Sequence, residues 1–146
     1  METTLPVHAL KPVVAVASTA TVMQAIHSMV DHNVGAMVVL DGGRLVGVFT
    51  ERDVVTRVVL QRRDPETTKI AEVMTTSVTT VTQDTDRTAA LRLMTERHVR
   101  HLPVVDAQGH VVAMLSMRHL LRADVANLQQ TVWSLVAEAQ ADALGG

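Results

Sequence analysis

Apolar positions along the chain follow two alternating rhythms. Val13-Val14-Ala15-Val16 and Ala36 to Leu40 are continuous apolar runs of strand length, whereas Val22, Ala25, Ile26, Met29 and Val30 return at the spacing of a helix with one apolar face. Ser18-Thr19-Ala20-Thr21 supplies hydroxyls for a turn and a cap before that helix, and Asp31-His32-Asn33 closes it. Asp41-Gly42-Gly43 is a tight turn between Ala36 to Leu40 and a second apolar run, Leu45 to Phe49, which predicts a hairpin. From Glu51 to about Arg62 the pattern is helical again, with Val54, Val55, Val58 and Val59 on one side.

The order then recurs. Asp64-Pro65-Glu66-Thr67-Thr68 is polar and carries a helix-stopping proline, so residues 64–68 read as a linker. Lys69 to Met74 predicts a short helix, Val78 to Val81 a strand and Thr88 to Arg97 a helix with Ala90, Leu91 and Met94 inward. Leu102 to Val105 with Val111 to Leu115 predicts a second hairpin. Ala25 and Ala90, Met29 and Met94, and Asp41 and Asp106 are each 65 residues apart. Past the hairpin turn the offset is 66, as from Thr50 to Ser116 and Arg52 to Arg118, because the second turn, Ala107-Gln108-Gly109, is one residue longer. A fixed internal period with its length change confined to a loop means one unit written twice. The expected division is a lead-in at 1–12, a first repeat at 13–63, the linker, a second repeat at 69–123, and a C-terminal helix and tail at 124–146. In that last segment Leu128, Val132, Leu135, Val136 and Ala139 fall at helical spacing, an amphipathic helix that needs either the rest of the chain or a second copy to cover it.

Composition narrows the function. At 146 residues and 47% apolar the chain has ample material for a core, and a net charge of −2 gives no general attraction to nucleic acid. No cysteine is present, which removes disulfides, thiol nucleophiles and thiolate metal sites and fits a reducing compartment. No apolar run approaches the roughly 20 residues that span a bilayer, so the expectation is a soluble, cytoplasmic protein with no membrane partner. Phe49 and Trp133 are the only aromatic residues, so any bound base would lie between aliphatic side chains.

Thr50-x-x-Asp53 has two readings. A hydroxyl N-cap with an acid three residues on is a capping box, while a carboxylate at a helix start also accepts from the vicinal hydroxyls of a ribose and the helix start favours a phosphate nearby. Arg100 and Arg118 are placed by the repeat near the strand ends that would face Thr50, where guanidinium groups suit a phosphate. His98, His101, His110 and His119 form no H-E-x-x-H pattern and read as ordinary histidines rather than metal ligands. No G-x-S-x-G elbow or Walker loop occurs, so catalysis has no visible residues to carry it.

The repeat, with Gly-h-h-Thr-x-x-Asp at Gly47 to Asp53 and Arg-His-h-Pro-h-h-Asp at Arg100 to Asp106, resembles a tandem pair of cystathionine beta-synthase (CBS) domains, or Bateman module, in the manner of the small stand-alone bacterial members. The resemblance covers residues 7 to about 124. It implies an α/β fold of two strand-helix-hairpin-helix repeats packed with pseudo-twofold symmetry, paired into a homodimer, that senses an adenosine ligand (AMP, ADP, ATP, NAD or S-adenosylmethionine) as a regulatory module without catalysis of its own. It implies one cleft with Asp53 on the ribose, Thr50 near the phosphate, Val48, Val78 and Thr79 around the adenine, and Arg100, His101 and Arg118 toward the phosphate. The opposite cleft would use Val13, Val14, Gly35, Ala36, Ser116 and His119. It departs from the family pattern, with His119 in place of the acid and Gly35 in place of the basic residue, so it is expected to be weak or vacant. The alternatives are a ligand-independent dimeric interaction module that docks an effector protein and, third, a histidine-based metal-binding protein.

Overall fold

The computed structural model describes residues 13–145, and the lead-in expected over 1–12 lies outside them. In chain order the elements are β1 (Ala15–Val16), α1 (Val22–His32), β2 (Ala36–Asp41), β3 (Arg44–Thr50), α2 (Glu51–Asp53) continuing as a π-helix over Val54–Val59, α3 (Ile70–Val73), β4 (Val81–Thr82), α4 (Arg87–Arg97), β5 (His101–Val105), β6 (Val111–Ser116) and α5 (Met117–Gly145). They make two three-stranded sheets, β1-β2-β3 and β4-β5-β6, each a parallel outer strand against an antiparallel hairpin. Ala36 stands opposite Thr50, and His101 opposite Ser116, so the two hairpins share one register. Both are bulged at the same place, with Val46 and Val112 as the extra residues.

Local chemistry explains the boundaries. Thr21 and Gln24 cap α1 reciprocally, Gln24 N donating to Thr21 Oγ1 at 3.2 Å and Thr21 N to Gln24 Oε1 at 2.9 Å. Asn33 ends α1 in the left-handed region at φ 52°, and His98, its counterpart, ends α4 at φ 55°. Gly42 and Gly43, at φ 58° and 78°, form a two-residue hairpin turn that requires positive φ at both positions.

Each sheet has its own core, but the linker and α3 cross to close the first. Ile70 and Val73 of α3 are buried with Val22, Ala25, Met37, Phe49 and Val58. The free amides at the start of α1 are satisfied from the same segment, Val22 N donating to Thr68 O and Met23 N to Pro65 O, both at 2.9 Å. The second core gathers Ala90, Met94, Leu102, Val104, Leu115 and Leu120.

Three expectations shift. The stripe Val54, Val55, Val58 and Val59 does not stay on one side: Val58 is buried, Val54 half-buried, and Val55 and Val59 exposed. Bonding there runs i to i+5, as in Leu60 N to Val55 O at 3.0 Å, so the angular step per residue departs from that of an α-helix. The strand expected at Val78 to Val81 is confined to β4, because Val78 N turns back to Thr76 O at 3.0 Å. The C-terminal segment is no separate helix but the continuation of α5, and Leu128, Val132, Leu135 and Val136 are all exposed, with none of the other described residues covering them.

Candidate functional site

The site begins with the absence of a side chain at Gly47. A Cβ there would stand 2.8 Å from Met74 Sδ and 2.9 Å from Thr75 O, so only glycine lets the segment after α3 lie against the edge of β3. That segment docks by paired backbone bonds, Val48 N to Thr75 O and Thr75 N to Val48 O, each 2.9 Å. Thr75 is thereby set beside the end of β3, where the helical turn starting at Glu51 begins.

Thr50 and Asp53 form a full capping box. Asp53 N donates to Thr50 Oγ1 at 3.2 Å and Thr50 N to Asp53 Oδ2 at 3.0 Å. The Asp53 carboxylate is 5% exposed and takes further donors: Thr75 Oγ1 lies 3.1 Å from Oδ1, and Arg57 Nε 3.5 Å from the same oxygen. Of the two sequence readings of Asp53, the structure shows the capping one directly. Thr75 and Arg57 were missed from sequence. Arg57 had a signal, an acid and a base at i, i+4, whereas nothing in Met74-Thr75-Thr76 distinguishes the hydroxyl that reaches Asp53.

The second unit repeats the local geometry. Gly35 O accepts from Glu51 N at 3.0 Å, and its counterpart Arg100 O accepts from Met117 N at 2.8 Å. This brings Arg100, His101, Ser116 and Arg118 to one end of the second sheet. Arg100 and Arg118 are exposed, and neither makes a salt bridge or side-chain hydrogen bond among the described residues. The two units meet across this end. Arg52 Nη1 donates to His98 O at 3.5 Å, and the half-buried His101 interacts electrostatically with Glu51, Arg100 and His119. Burial holds the His101 imidazole below its ordinary range, Arg100 and His119 add to that, and Glu51 opposes it. Val78 and Thr79 are half-buried, three and four residues beyond Thr75.

Of the opposite-cleft residues, Val14 O accepts from Val38 N at 3.0 Å, tying the first strand to β2, and Val13 is half-buried beside it. Ala36 is buried opposite Thr50, and a Cβ at Gly35 would meet Glu51 Cδ at 3.3 Å. Ser116 and His119 keep the cap without the carboxylate: His119 N donates to Ser116 Oγ at 3.1 Å, and His119 Nδ1 lies 2.6 Å from the same oxygen. An apolar hollow of about 430 Å³ lies apart from these residues, between α1 and the helix after Thr50, with Met29, Val30, Glu51, Val54 and Val55 in its walls. Among the described residues no cluster of histidines and acids has the grouping of a metal site, and no helix is long and apolar enough to cross a membrane.

Comparison with known proteins gives a consistent result. The CBS domain family model matches residues 7–60 and again 70–126. The mitochondrial CBS domain-containing protein CBSX3 of Arabidopsis thaliana is 39% identical over 110 residues, 72% of this chain and 53% of the relative, so the chain spans about half of that protein. The Bacillus subtilis CBS domain-containing protein YhcV is 34% identical over 108 residues, covering 74% of this chain and 76% of the relative. Among solved structures, the CBS domain pair of protein MJ0100, in complex with 5′-methylthioadenosine and S-adenosyl-L-methionine, superposes with a TM-score of 0.78 at 26% identity over 86% of this chain and 99% of that one. A CBS domain protein from Pyrobaculum aerophilum complexed with AMP gives 0.68 at 29% identity, covering 74% and 82%.

Proposed function

The chain belongs to the CBS domain family as a tandem pair, and from that premise we propose that it is a regulatory module that binds an adenine nucleotide at the Thr50–Asp53 turn and carries out no catalysis of its own. The observation that carries this reading is that Arg100 and Arg118 are exposed with no salt bridge among the described residues, while His101 beside Arg100 lies within electrostatic reach of Glu51 at the start of the helical turn that Asp53 caps. A phosphate is the natural partner of such guanidinium groups. Two structural neighbours carry adenosine compounds, AMP in one and S-adenosyl-L-methionine with 5′-methylthioadenosine in the other.

In this reading the ribose hydroxyls donate to Asp53 in place of the Thr75 hydroxyl, Val48, Val78 and Thr79 bracket the adenine, and Arg100, His101 and Arg118 face the phosphate. The opposite cleft, Val13, Val14, Gly35, Ala36, Ser116 and His119, lacks both the acid and the base and stays weak or vacant. The module acts as a cytoplasmic homodimer, in keeping with the uncovered stripe on α5 and a chain without cysteine. Calorimetric titration with AMP, ADP, ATP, NAD and S-adenosylmethionine tests the proposal, with thermal shift on the same series, since a ligand that binds only the native state raises the melting temperature. The expected result is one saturable site per chain for at least one of these compounds. Absence of binding throughout, with the assembly intact, replaces it by a ligand-independent interaction module.

A further inference from the structure

Among the described residues, no contact accounts for the sequence of α5 beyond the second core. Val125, Leu128, Val132 and Leu135 are 52%, 65%, 57% and 60% exposed. With Leu121 and Ala139 they advance by steps of four, three, four, three and four residues, which is the heptad seam of a coiled coil, and Val136, 43% exposed, flanks that seam on one side. The helix touches its own body through a neighbouring face: Leu120 is buried, and Arg87 Nη2 donates to Leu120 O at 3.0 Å and pairs with Asp124. The seam is therefore left open from the point where the helix leaves the core, and Leu121 to Ala139 extends roughly 28 Å at 1.5 Å per residue.

We propose that this segment pairs with the same segment of a second copy as a parallel, in-register, two-stranded coiled coil, with Val125 and Val132 at the a positions and Leu121, Leu128 and Leu135 at d. The proposal deepens the homodimer above and rests on it. Side-chain shape fits that arrangement, because within parallel coiled coils β-branched residues at a with leucine at d favour two strands. Charge points the same way. An antiparallel pair that lays Val125 against Leu135 brings Asp124 against Glu138 of the other copy at both ends. The parallel pair instead sets Asp124 across from Gln129, and Glu138 across from Ala143, with no like charges opposed. No charged residue enters the seam until Asp142, where it ends.

The chain has no cysteine, so single cysteines read the register directly. In the full chain, Leu128→Cys is expected to oxidise almost completely to a linked dimer at micromolar concentration, and Trp133→Cys, on the outer face, at least ten-fold more slowly. Equal rates for the two variants overturn the coiled coil, and so does faster linkage in a mixture of Leu128→Cys and Val132→Cys chains than in either alone, the signature of an antiparallel pair. The double variant Leu128→Glu/Leu135→Glu, at exposed positions, is expected to sediment as a monomer or to weaken association at least a hundred-fold. If it stays a dimer like the parent, the coiled coil falls while the homodimer stands. If the parent is itself a monomer at micromolar concentration, both fall. AMP titration of the same samples reads the nucleotide site independently of either outcome.

Discussion

Asp53→Asn separates the two duties of that carboxylate. In the structure it accepts from Thr50 N at 3.0 Å and Thr75 Oγ1 at 3.1 Å, and it faces Arg57 Nε at 3.5 Å. Asparagine keeps one oxygen of similar reach, so most of the capping geometry survives, while the charge and the second acceptor oxygen are lost. Hydrogen bonds to a charged group contribute about 1.5 to 3 kcal/mol. The Arg57 pair adds little, about 0 to 1 kcal/mol, because the arginine is half exposed to solvent. Destabilisation of about 1 to 2 kcal/mol is expected for Asp53→Asn. Asp53→Ala also leaves Thr50 N and the Thr75 hydroxyl without an acceptor and is expected to cost about 2 to 3 kcal/mol, or roughly 6 to 12 °C in melting temperature for a chain of this size. If the same carboxylate receives the ribose, AMP affinity falls roughly ten-fold to more than a hundred-fold in both variants. Calorimetry well below the melting temperature measures this separately from stability. Asp53→Asn that melts a few degrees lower but binds AMP as the parent does leaves Asp53 a capping acid only and removes it from the proposed site.

Gly47→Ala is expected to lower stability by about 1 to 3 kcal/mol, since the new methyl group meets the Thr75 carbonyl, backbone that cannot swing aside; an unchanged denaturation midpoint contradicts that packing. Arg118→Ala is expected to weaken AMP about ten-fold and adenosine hardly at all, and Ser116→Ala to leave AMP unchanged, with titration of both ligands as the check; equal losses for AMP and adenosine mean that Arg118 does not face the phosphate. For pH, burial depresses the His101 pKa below 6.5 in the folded chain, so the unfolded chain binds the extra proton first as pH falls. Its contribution to stability is present above pH 6.5 and lost on acidification below it, so the melting temperature is expected to fall from pH 6.5 toward 5, and less steeply in His101→Gln; parallel slopes for the two proteins reject this.

What sequence alone revealed, and what it did not, follows from which interactions are local. The repeat was legible because its offset of 65, becoming 66, is tied to hairpin register: Ala36 opposite Thr50 and His101 opposite Ser116 are one pairing used twice, and the single added residue falls in a turn. The Thr50–Asp53 box was legible because a cap spans three residues. Thr75 was not, because its approach to Asp53 spans 22 residues and depends on the missing Cβ of Gly47. The continuity of α5 was hidden because the segment beyond residue 123 has no counterpart in the first repeat, although no glycine or proline stops the helix there and Asp124 pairs with Arg87.

The same separation between local and non-local explains how one scaffold holds two unlike caps. Thr50 with Asp53 and Ser116 with His119 do the same structural work, a side-chain oxygen receiving the amide three residues on. Capping alone therefore does not decide between an acid and an imidazole at the fourth position, and the fold persists through the change. Ligand chemistry does decide, because a carboxylate offers two oxygens to a pair of vicinal hydroxyls, whereas a neutral imidazole offers one acceptor and a protonated one none. His119 also stands within electrostatic reach of His101, while Glu51 and Asp53 place acids at the equivalent turn of the first unit. In the proposed reading the difference between the clefts thus resides in two or three side chains at caps made by the same hydrogen bond, which is why single substitutions at Asp53, Arg118 and Ser116 are expected to separate them without disturbing the pair of sheets.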